Sequence, residues 1–576
     1  MDHDPSLLQI FSVSLFFCKC FSCFYRRLKQ KSIVALIPGP PSNSWIFGHM
    51  KHLLLPANYG DFEYTWQKEY GPVYRIKGCF GEDRLMLSDP LPLQHVLNTN
   101  FFTHGPALAQ AISLAFDDKA VMGAHGSRHK RLRAATQVGF TASAVRGYQP
   151  LFERVARRLT EQLEKICALY PDGTPTDMLP IIAEASLNSM SQALLSYSTE
   201  ELGKDFVTNN AKILSLAATH SPTQLLASAI TSRLPHLFWR LLTHLPGIPD
   251  FDLIRNAKVF AKQVGWKAIR EKLTLAAVRD SGDSKSESTS SPSELESPSR
   301  VTHGDVFDFL LNICPTSSNK PQKSALTHEE LASQTGTFFI AGEETTTSAI
   351  VFALLELAKH QSFQDELRAE VHHFAKIKSN SEAGFSYDNM PLLNALIKES
   401  LRINTPGAAQ ERAAIVDTVL PLSNPIRLLN GEMLHSIPIR KGQVVTVAAA
   451  SYHRNEVLWG DDAHKFRPSR WLDGTAFHGR ALGPYANLLS FLGGQRVCLG
   501  WRFALAFRAY SRRYVLTVLN LDSLLEMQVL LFELVEKFRF TCSEDERHRL
   551  RAQFANTLMP VLPDGTRGAP LVVTRC

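Results

Sequence analysis

The sequence predicts a mainly α-helical fold with a minor β component (α+β), one large unit behind an N-terminal membrane anchor. Three observations carry this. Long amphipathic runs such as YQPLFERVARRLTEQLEKICALY, from Tyr148 to Tyr170, repeat apolar residues at helical spacing. Short apolar runs broken by turn residues gather in two places only, before Asp89 and between Arg412 and Trp471. An apolar content of 44% over 576 residues, with no internal repeat, supplies one large core.

The elements follow in order. Leu7 to Phe24 is almost wholly apolar, interrupted by Gln9, Lys19 and small polar residues, and Arg26, Arg27, Lys29 and Lys31 come after it. A cleaved secretory signal carries its charge ahead of the apolar run, so residues 1–36 are expected to be an uncleaved anchor with a basic flank. The positive flank favours the cytoplasmic side; a helix lying in the membrane interface is the alternative. Cys18, Cys20 and Cys23 read as ordinary apolar cysteines before they read as lipidation sites. Pro38-Gly39-Pro40-Pro41 is a stiff spacer, and PVYRIKGCF and RLMLSDP read as strands. Ser127 to Arg279 is mainly helical. Residues 279–300, rich in Ser, Pro and charge, cannot bury enough apolar area to offset their ordering entropy and are expected to be a disordered loop. Helical patterning resumes through Arg402, strand and turn signals fill Arg412 to Trp471, and a helix-like segment follows Cys498. Residues 37–576 are thus expected to form one large unit.

The net charge of +7 is dispersed along the chain, which argues against nucleic acid and for a membrane surface or an acidic protein partner. Nine cysteines without regular spacing make no disulfide framework, so the body of the chain belongs in a reduced, cytosol-facing compartment.

The chemistry gathers at FLGGQRVCLG, Phe491 to Gly500. Glycines at 493, 494 and 500 allow tight turns and close approach to a flat ligand. Backbone N–H groups and a following helix dipole would favour a thiolate, and Arg496 can reach an anionic group on the same ligand. Alone, such a cysteine is more often an inert buried thiol. The whole string changes that reading. Phe-x-x-Gly-x-Arg-x-Cys-x-Gly is the haem-ligand signature of the cytochrome P-450 family, and Phe491, Gly494, Arg496, Cys498 and Gly500 match every defining position. The chain resembles a membrane-anchored microsomal member, most like the fungal ones in CLGWRFALA and FRPSRWL.

The resemblance implies the cytochrome P-450 fold, haem b, and Cys498 as the axial iron ligand, a thiolate that favours O–O cleavage. It extends to further landmarks. IAGEETT, from Ile340, is similar to the oxygen-activation motif of the family's central helix, with Thr327 and Glu330 as a capping box at its start. There Ala341-Gly342 would leave room for dioxygen, and Glu344 and Thr345 would deliver protons. KESLR supplies Glu399 and Arg402, which alone would be a surface pair worth about 0–1 kcal/mol. In the family such a pair is buried and completed by an arginine, here Arg470 of FRPSRW. GSRHKRLR is similar to the early-helix motif, with His129 and Arg133; together with Arg412, Arg496 and Phe491 they are the expected cofactor-binding residues.

The function implied is insertion of one oxygen atom from O2 into a lipophilic small molecule, a terpenoid or other secondary metabolite. Electrons would come from NADPH through NADPH-cytochrome P-450 reductase, with cytochrome b5 as an optional second donor, at the endoplasmic reticulum membrane. The expected substrate walls are Thr103 to Met122, Ser215 to Leu245, Phe338-Phe339, Thr405 to Gln410 and Thr557-Leu558, mostly apolar. A haem-thiolate isomerase, dehydratase or peroxide-user needing no reductase is one rival; Glu344-Thr345 speaks against it. A catalytically disabled haem-binding isoform is the other.

That second rival arises from a break. The run after Cys498 stops at Ala506 and restarts at Glu526; removing Phe507 to Leu525 would give the unbroken CLGWRFALAEMQVLLFELVEKFRF. Those nineteen residues are a retained intron, a genuine surface insertion, or the mark of a chain that has lost function.

Overall fold

The computed structural model describes residues 33–218, 221–234, 249–282, 304–314, 325–380, 385–476, 482–502, 506–507, 522–523, 525–543 and 549–576. Most of the expected anchor (1–32) and most of the 279–300 segment lie outside these residues. Helices of ten or more residues are numbered in chain order: α1 Pro106–Ala115, α2 Gly126–Thr136, α3 Gln149–Leu169, α4 Met178–Leu195, α5 Lys204–Ala218, α6 Pro222–Thr231, α7 Pro249–Gly282, α8 His328–Lys359, α9 Gln361–Ser379, α10 Pro391–Ile403 and α11 Leu525–Lys537. Helix dominates and strands are short, as the patterning predicts.

The strands expected from PVYRIKGCF and RLMLSDP are Val73–Lys77 (β1) and Asp83–Leu87 (β2), paired antiparallel with Val73 opposite Leu87. With Phe102–His104 (β3), Gln410–Ala414 (β5) and Val444–Val447 (β8) they form a sheet ordered β1-β2-β8-β5-β3, in which β2 and β8 run parallel. Thr174–Asp177 (β4) joins Phe538–Thr541 (β11) and Pro570–Arg575 (β14) in the order β11-β14-β4. Thr418–Arg427 (β6) pairs with Met433–Ile439 (β7), and Arg551–Phe554 (β12) with Leu558–Val561 (β13).

Amphipathicity decides how the helices pack. On α3, Phe152, Val155, Ala156, Leu159 and Leu163 recur at i, i+3, i+4 and are all buried. The central helix α8 is different: it is buried on most of its surface, against α7 and α4. It is long and apolar enough to cross a membrane, but 72% of its apolar window is buried inside the fold, so it is a core helix. The capping box at its start forms as expected, with Thr327 Oγ1 accepting from the Glu330 N–H at 3.1 Å and Glu330 Oε2 accepting from the Thr327 N–H at 3.1 Å. Ala341 and Gly342 turn out to have different roles. A Cβ at Gly342 would lie 1.9 Å from the Met190 methyl, so this glycine lets α8 approach α4, while Ala341 is exposed.

Among the described residues, no helix follows the Cys498 loop before Leu525. Leu499–Trp501 is a 3-10 turn, and the next described pieces, Ala506–Phe507 (β9) and Asp522–Ser523 (β10), pair antiparallel. Ala506 faces Ser523, so the chain leaves and returns at adjacent points. Helix α11 then begins at Leu525, one residue before the expected restart, with Leu525 and Glu526 both buried.

Glu399, Arg402 and Arg470 form one fully buried network rather than a surface pair. Glu399 accepts from Arg402 Nε at 3.0 Å and Nη2 at 2.8 Å, from Arg470 Nε at 3.0 Å, from the Trp471 indole at 2.9 Å and from the Arg467 N–H at 2.8 Å. All three charged side chains have 0% exposure. Removing one partner leaves uncompensated buried charge, which costs about 3–5 kcal/mol. Glu399→Ala is expected to lower the unfolding free energy by that amount in denaturant titration. Glu456→Ala, which loses only the exposed pairs to Lys68 at 3.6 Å and His464 at 3.8 Å, is expected to change it by less than about 0.5 kcal/mol.

Candidate active site

The Cys498 loop is fixed by its own backbone. The Cys498 N–H donates to the Phe491 carbonyl at 2.9 Å and the Val497 N–H to the Gly494 carbonyl at 3.2 Å. Gly494 has φ of 65°, and a Cβ there would meet the Leu97 carbonyl oxygen at 2.0 Å, so only glycine fits this turn against the end of the helix Pro90–Asn98. Cys498 is exposed, with Arg133 close enough for its charge to act on the sulfur. Burial pushes the thiol up; hydrogen bonds from the Gly500 and Trp501 N–H groups and the charge of Arg133 pull it down. Among the described residues a 3-10 turn, Leu499–Trp501, follows the cysteine, and its Gly500 and Trp501 N–H groups are the donors that favour the ionised sulfur.

Around the loop stands a cluster of cations and imidazoles. His129 and Arg133 lie four apart on α2, as expected from GSRHKRLR. Arg496 Nη2 donates to the Ala124 carbonyl at 2.7 Å and stands 3.4 Å from His125 Nδ1. Arg412 on β5 is opposite His104 on β3. Burial, followed by each other's charges, sets their protonation. Arg412 is lowered to about 10 by burial and then Arg496, and Arg496 to about 10 by burial and then Arg133. His104 falls to about 3 and His129 to about 4. Among the described residues, no carboxylate is named among the groups shifting any of them, and both ring nitrogens of buried His104 have no hydrogen-bond partner. Three arginines beside neutral imidazoles make an electropositive cluster that suits an anion. His104 and His125 escaped the sequence reading because strand register and a helix start, not spacing, bring them here.

On α8, Ala341 and Thr345 are both exposed, one turn apart, and Thr345 Oγ1 donates to the Ala341 carbonyl at 2.8 Å. Glu344 points elsewhere. It is buried and accepts from Arg567 Nη1 at 2.6 Å and Thr557 Oγ1 at 2.9 Å. Arg567 lies 223 positions away, and no local pattern marks it. Glu343 is also buried, takes a bond from the Asn210 amide, and is pushed up to about 8 by burial first and by Glu344.

The expected substrate walls are only partly together. Phe338 packs edge-on against Phe140 and Phe339 against Phe206, both in the core. Thr405 is buried with its hydroxyl unpartnered, Thr557 binds Glu344, and 235–245 lie outside the described residues.

The protonation of this cluster is directly measurable. Because Arg496 is one of the groups depressing His129, Arg496→Leu is expected to raise its pKa from about 4 toward the ordinary 6.5, by roughly one unit. Histidine-selective NMR titration reads this; an unmoved His129 would separate the two groups.

Comparison with known proteins agrees with this geometry. The cytochrome P-450 family model matches residues 38–506, and the match ends at the residue where the chain departs into β9. Cytochrome P-450 monooxygenase 91 of Postia placenta (strain ATCC 44394 / Madison 698-R) is 28% identical over 535 residues, covering 88% of each chain. Cytochrome P-450 monooxygenase claU of Ampulloclitocybe clavipes is 28% identical over 501 residues, covering 86% of this chain and 87% of the relative. The electropositive cluster beside the Cys498 thiol, the exposed Ala341-Thr345 face and the match over most of the sequence together show that this chain belongs to the cytochrome P-450 family, haem-iron oxidoreductases that incorporate an oxygen atom from dioxygen.

Proposed function

We propose that the chain binds haem b through Cys498 and hydroxylates a lipophilic small molecule, a terpenoid or other secondary metabolite. The observation that carries this reading is the cluster around the Cys498 thiol. Arg133, Arg412, Arg496, His104 and His129 lack a carboxylate, and a porphyrin with two propionates matches that charge. Haem, when bound, supplies activation of dioxygen and transfer of one of its atoms to carbon.

The chain's own residues do the rest. Cys498 donates its thiolate, held by the Gly500 and Trp501 N–H groups. Arg496 and Arg412 clamp the propionates, with Arg133 and His129 beside them, and Phe491 packs against the loop through Tyr485. Thr345, exposed beside Ala341, holds a hydroxyl at the reacting face. Glu344 reaches Thr345 by exchanging its bonds to Arg567 and Thr557, which makes that tether a gate on proton delivery. Electrons come from NADPH through NADPH-cytochrome P-450 reductase, with cytochrome b5 as an optional donor. Exposed Arg128 and Lys130 on α2 offer that acidic partner a basic face. Residues 1–36 anchor the protein in the endoplasmic reticulum membrane with 37–576 in the cytosol, a reading that rests on the apolar run and its basic flank.

The decisive measurement is the reduced carbon-monoxide difference spectrum. A Soret band at about 450 nm is expected from the full chain and none from Cys498→Ala; a band at about 420 nm in folded protein would refute thiolate ligation. Turnover is expected to need NADPH and reductase. Equal turnover with peroxide alone would favour the reductase-independent reading.

The paired ends of β9 and β10 support a surface excursion at 507–525. A variant lacking Phe507 to Leu525 is expected to keep the full chain's haem content within about twofold, because the loop-closure cost is small. A several-fold rise in haem content on deletion would mark the segment as damaging. Transcript reads that splice it out would make it an intron.

A further inference from the structure

Between α1 and α2 the chain crosses residues 116–125 in turns and bends, with no helix or strand to pair its peptide groups. The far end of this segment matters to the site, because the Ala124 carbonyl accepts from Arg496 Nη2 at 2.7 Å. A segment without regular structure keeps one path only if its buried peptide groups find partners. Two bonds are local: the Ala120 N–H donates to the Asp117 carbonyl at 2.9 Å and the Ala124 N–H to the Val121 carbonyl at 3.4 Å. Two more come from one side chain on α8.

That side chain is Gln334, which is 0% exposed. Its carbonyl oxygen accepts from the Val121 N–H at 2.9 Å, and its amide nitrogen donates to the Lys119 carbonyl at 3.1 Å. The same nitrogen donates to the Glu330 carbonyl one turn back on α8, at 2.8 Å, which fixes the amide on its own helix. A side-chain amide offers donor and acceptor together, so it pairs with the segment as another peptide group would. Ion pairs at the same place are the weaker fastening. Lys119 pairs with Glu329, and Lys262 with Asp117 at 3.2 Å and Glu329 at 3.1 Å, but these side chains keep 21–44% exposure, where solvent screens them. From Val121 to Ala124 is one turn, closed by the bond between them and flanked by buried Ala120 and Ala124. Any shift of Val121 therefore carries the Ala124 carbonyl with it.

We infer that Gln334 is a positioning residue for Arg496: by pairing with the peptide groups of Lys119 and Val121 it fixes the Ala124 carbonyl, and that carbonyl aims the guanidinium beside the cysteine loop. Its consequence for haem retention rests on the proposed role of Arg496 as a propionate clamp; the placement of Arg496 does not.

The test uses the haem-loaded full chain and two readouts. Modification of arginines by phenylglyoxal, located by mass spectrometry, reads how firmly Arg496 is held, and haem transfer to apomyoglobin reads the consequence. Gln334→Met keeps an unbranched side chain in the core and removes both bonds to the segment. It is expected to speed modification of Arg496 about fivefold and haem transfer roughly three- to fivefold, against about tenfold haem transfer for Arg496→Leu. Added to Arg496→Leu, Gln334→Met is expected to speed haem transfer no further. Thr335→Val, which loses a buried bond within α8 to the Ala332 carbonyl at 2.9 Å, is expected to leave both readouts unchanged. Unchanged circular dichroism shows that each variant is folded. Should Gln334→Met not fold, Gln334→Glu, which keeps an acceptor for the Val121 N–H, carries the same readouts. Unaltered modification of Arg496 in the Gln334 variant, or a gain in haem transfer that persists without Arg496, overturns the inference. Unaltered haem transfer in Arg496→Leu refutes the clamp instead, and the modification readout alone then decides the positioning.

Discussion

The carboxylate of Glu399 is the point from which the cysteine loop is held. It collects five hydrogen bonds from two arginines, an indole and a backbone N–H, all away from solvent. Arg402 passes the constraint on, donating to the carbonyls of His453 at 2.7 Å and Ala463 at 2.6 Å. His453 Nε2 in turn accepts the Leu489 N–H at 2.8 Å, and Ser490 Oγ donates to the Leu401 carbonyl at 2.9 Å. A buried ion pair is weak evidence for stability in itself, since its desolvation offsets its attraction. Here its value is geometric: both Glu399 oxygens and all three guanidinium nitrogens of Arg402 and of Arg470 are bonded, which ties α10 to the 453–471 segment and to the start of the cysteine loop.

The cations around Cys498 are arranged on the opposite principle. Arg402 and Arg470 are buried beside a carboxylate, whereas buried Arg412 and half-buried Arg496 act on each other without one. Burial lowers Arg402 as it lowers Arg412 and Arg496, but only the first cluster contains a carboxylate bonded to its arginines. The first cluster fixes the arrangement of the segments it joins, and the second concentrates positive charge beside the cysteine loop.

What was legible in the sequence was what contiguous spacing encodes. The Phe491–Gly500 string, the Thr327–Glu330 cap and the three-residue step from Glu399 to Arg402 each bring their partners together through one local backbone geometry. Arg470 was legible only because a second motif carried it. What spacing cannot encode is which distant surface meets a given side chain. Arg567 reaches Glu344 because β13 and the turn after it lie beside α8, and His104 faces Arg412 through a strand register fixed by the whole sheet. Gly342 resembles a motif residue and acts as a packing residue, because Met190 on α4 fills the space its missing side chain leaves. The expected helix dipole behind Cys498 is not found among the described residues, where a 3-10 turn, Leu499–Trp501, follows the cysteine.

That missing continuity changes how the thiol is positioned. In an unbroken run from Cys498 into α11, the helix would set the loop's direction from behind. Here α11 is held by its own packing against α3, α9 and α10, with Leu525, Glu526 and Met527 buried at its start. Ala506–Phe507 and Asp522–Ser523 are paired backbone positions, so α11 needs no rigid link to the loop to find its place. Lengthening such a loop costs only about 0.6 kcal/mol per doubling. Cys498 must then take its position from the other side: from the Phe491 carbonyl, from the Leu97 backbone against Gly494, and from the Ala124 carbonyl that fixes Arg496. Those three constraints lie before the break, and the Glu399 network holds the segment that carries them. The geometry around the thiol is thus complete without the helix that ordinarily follows it.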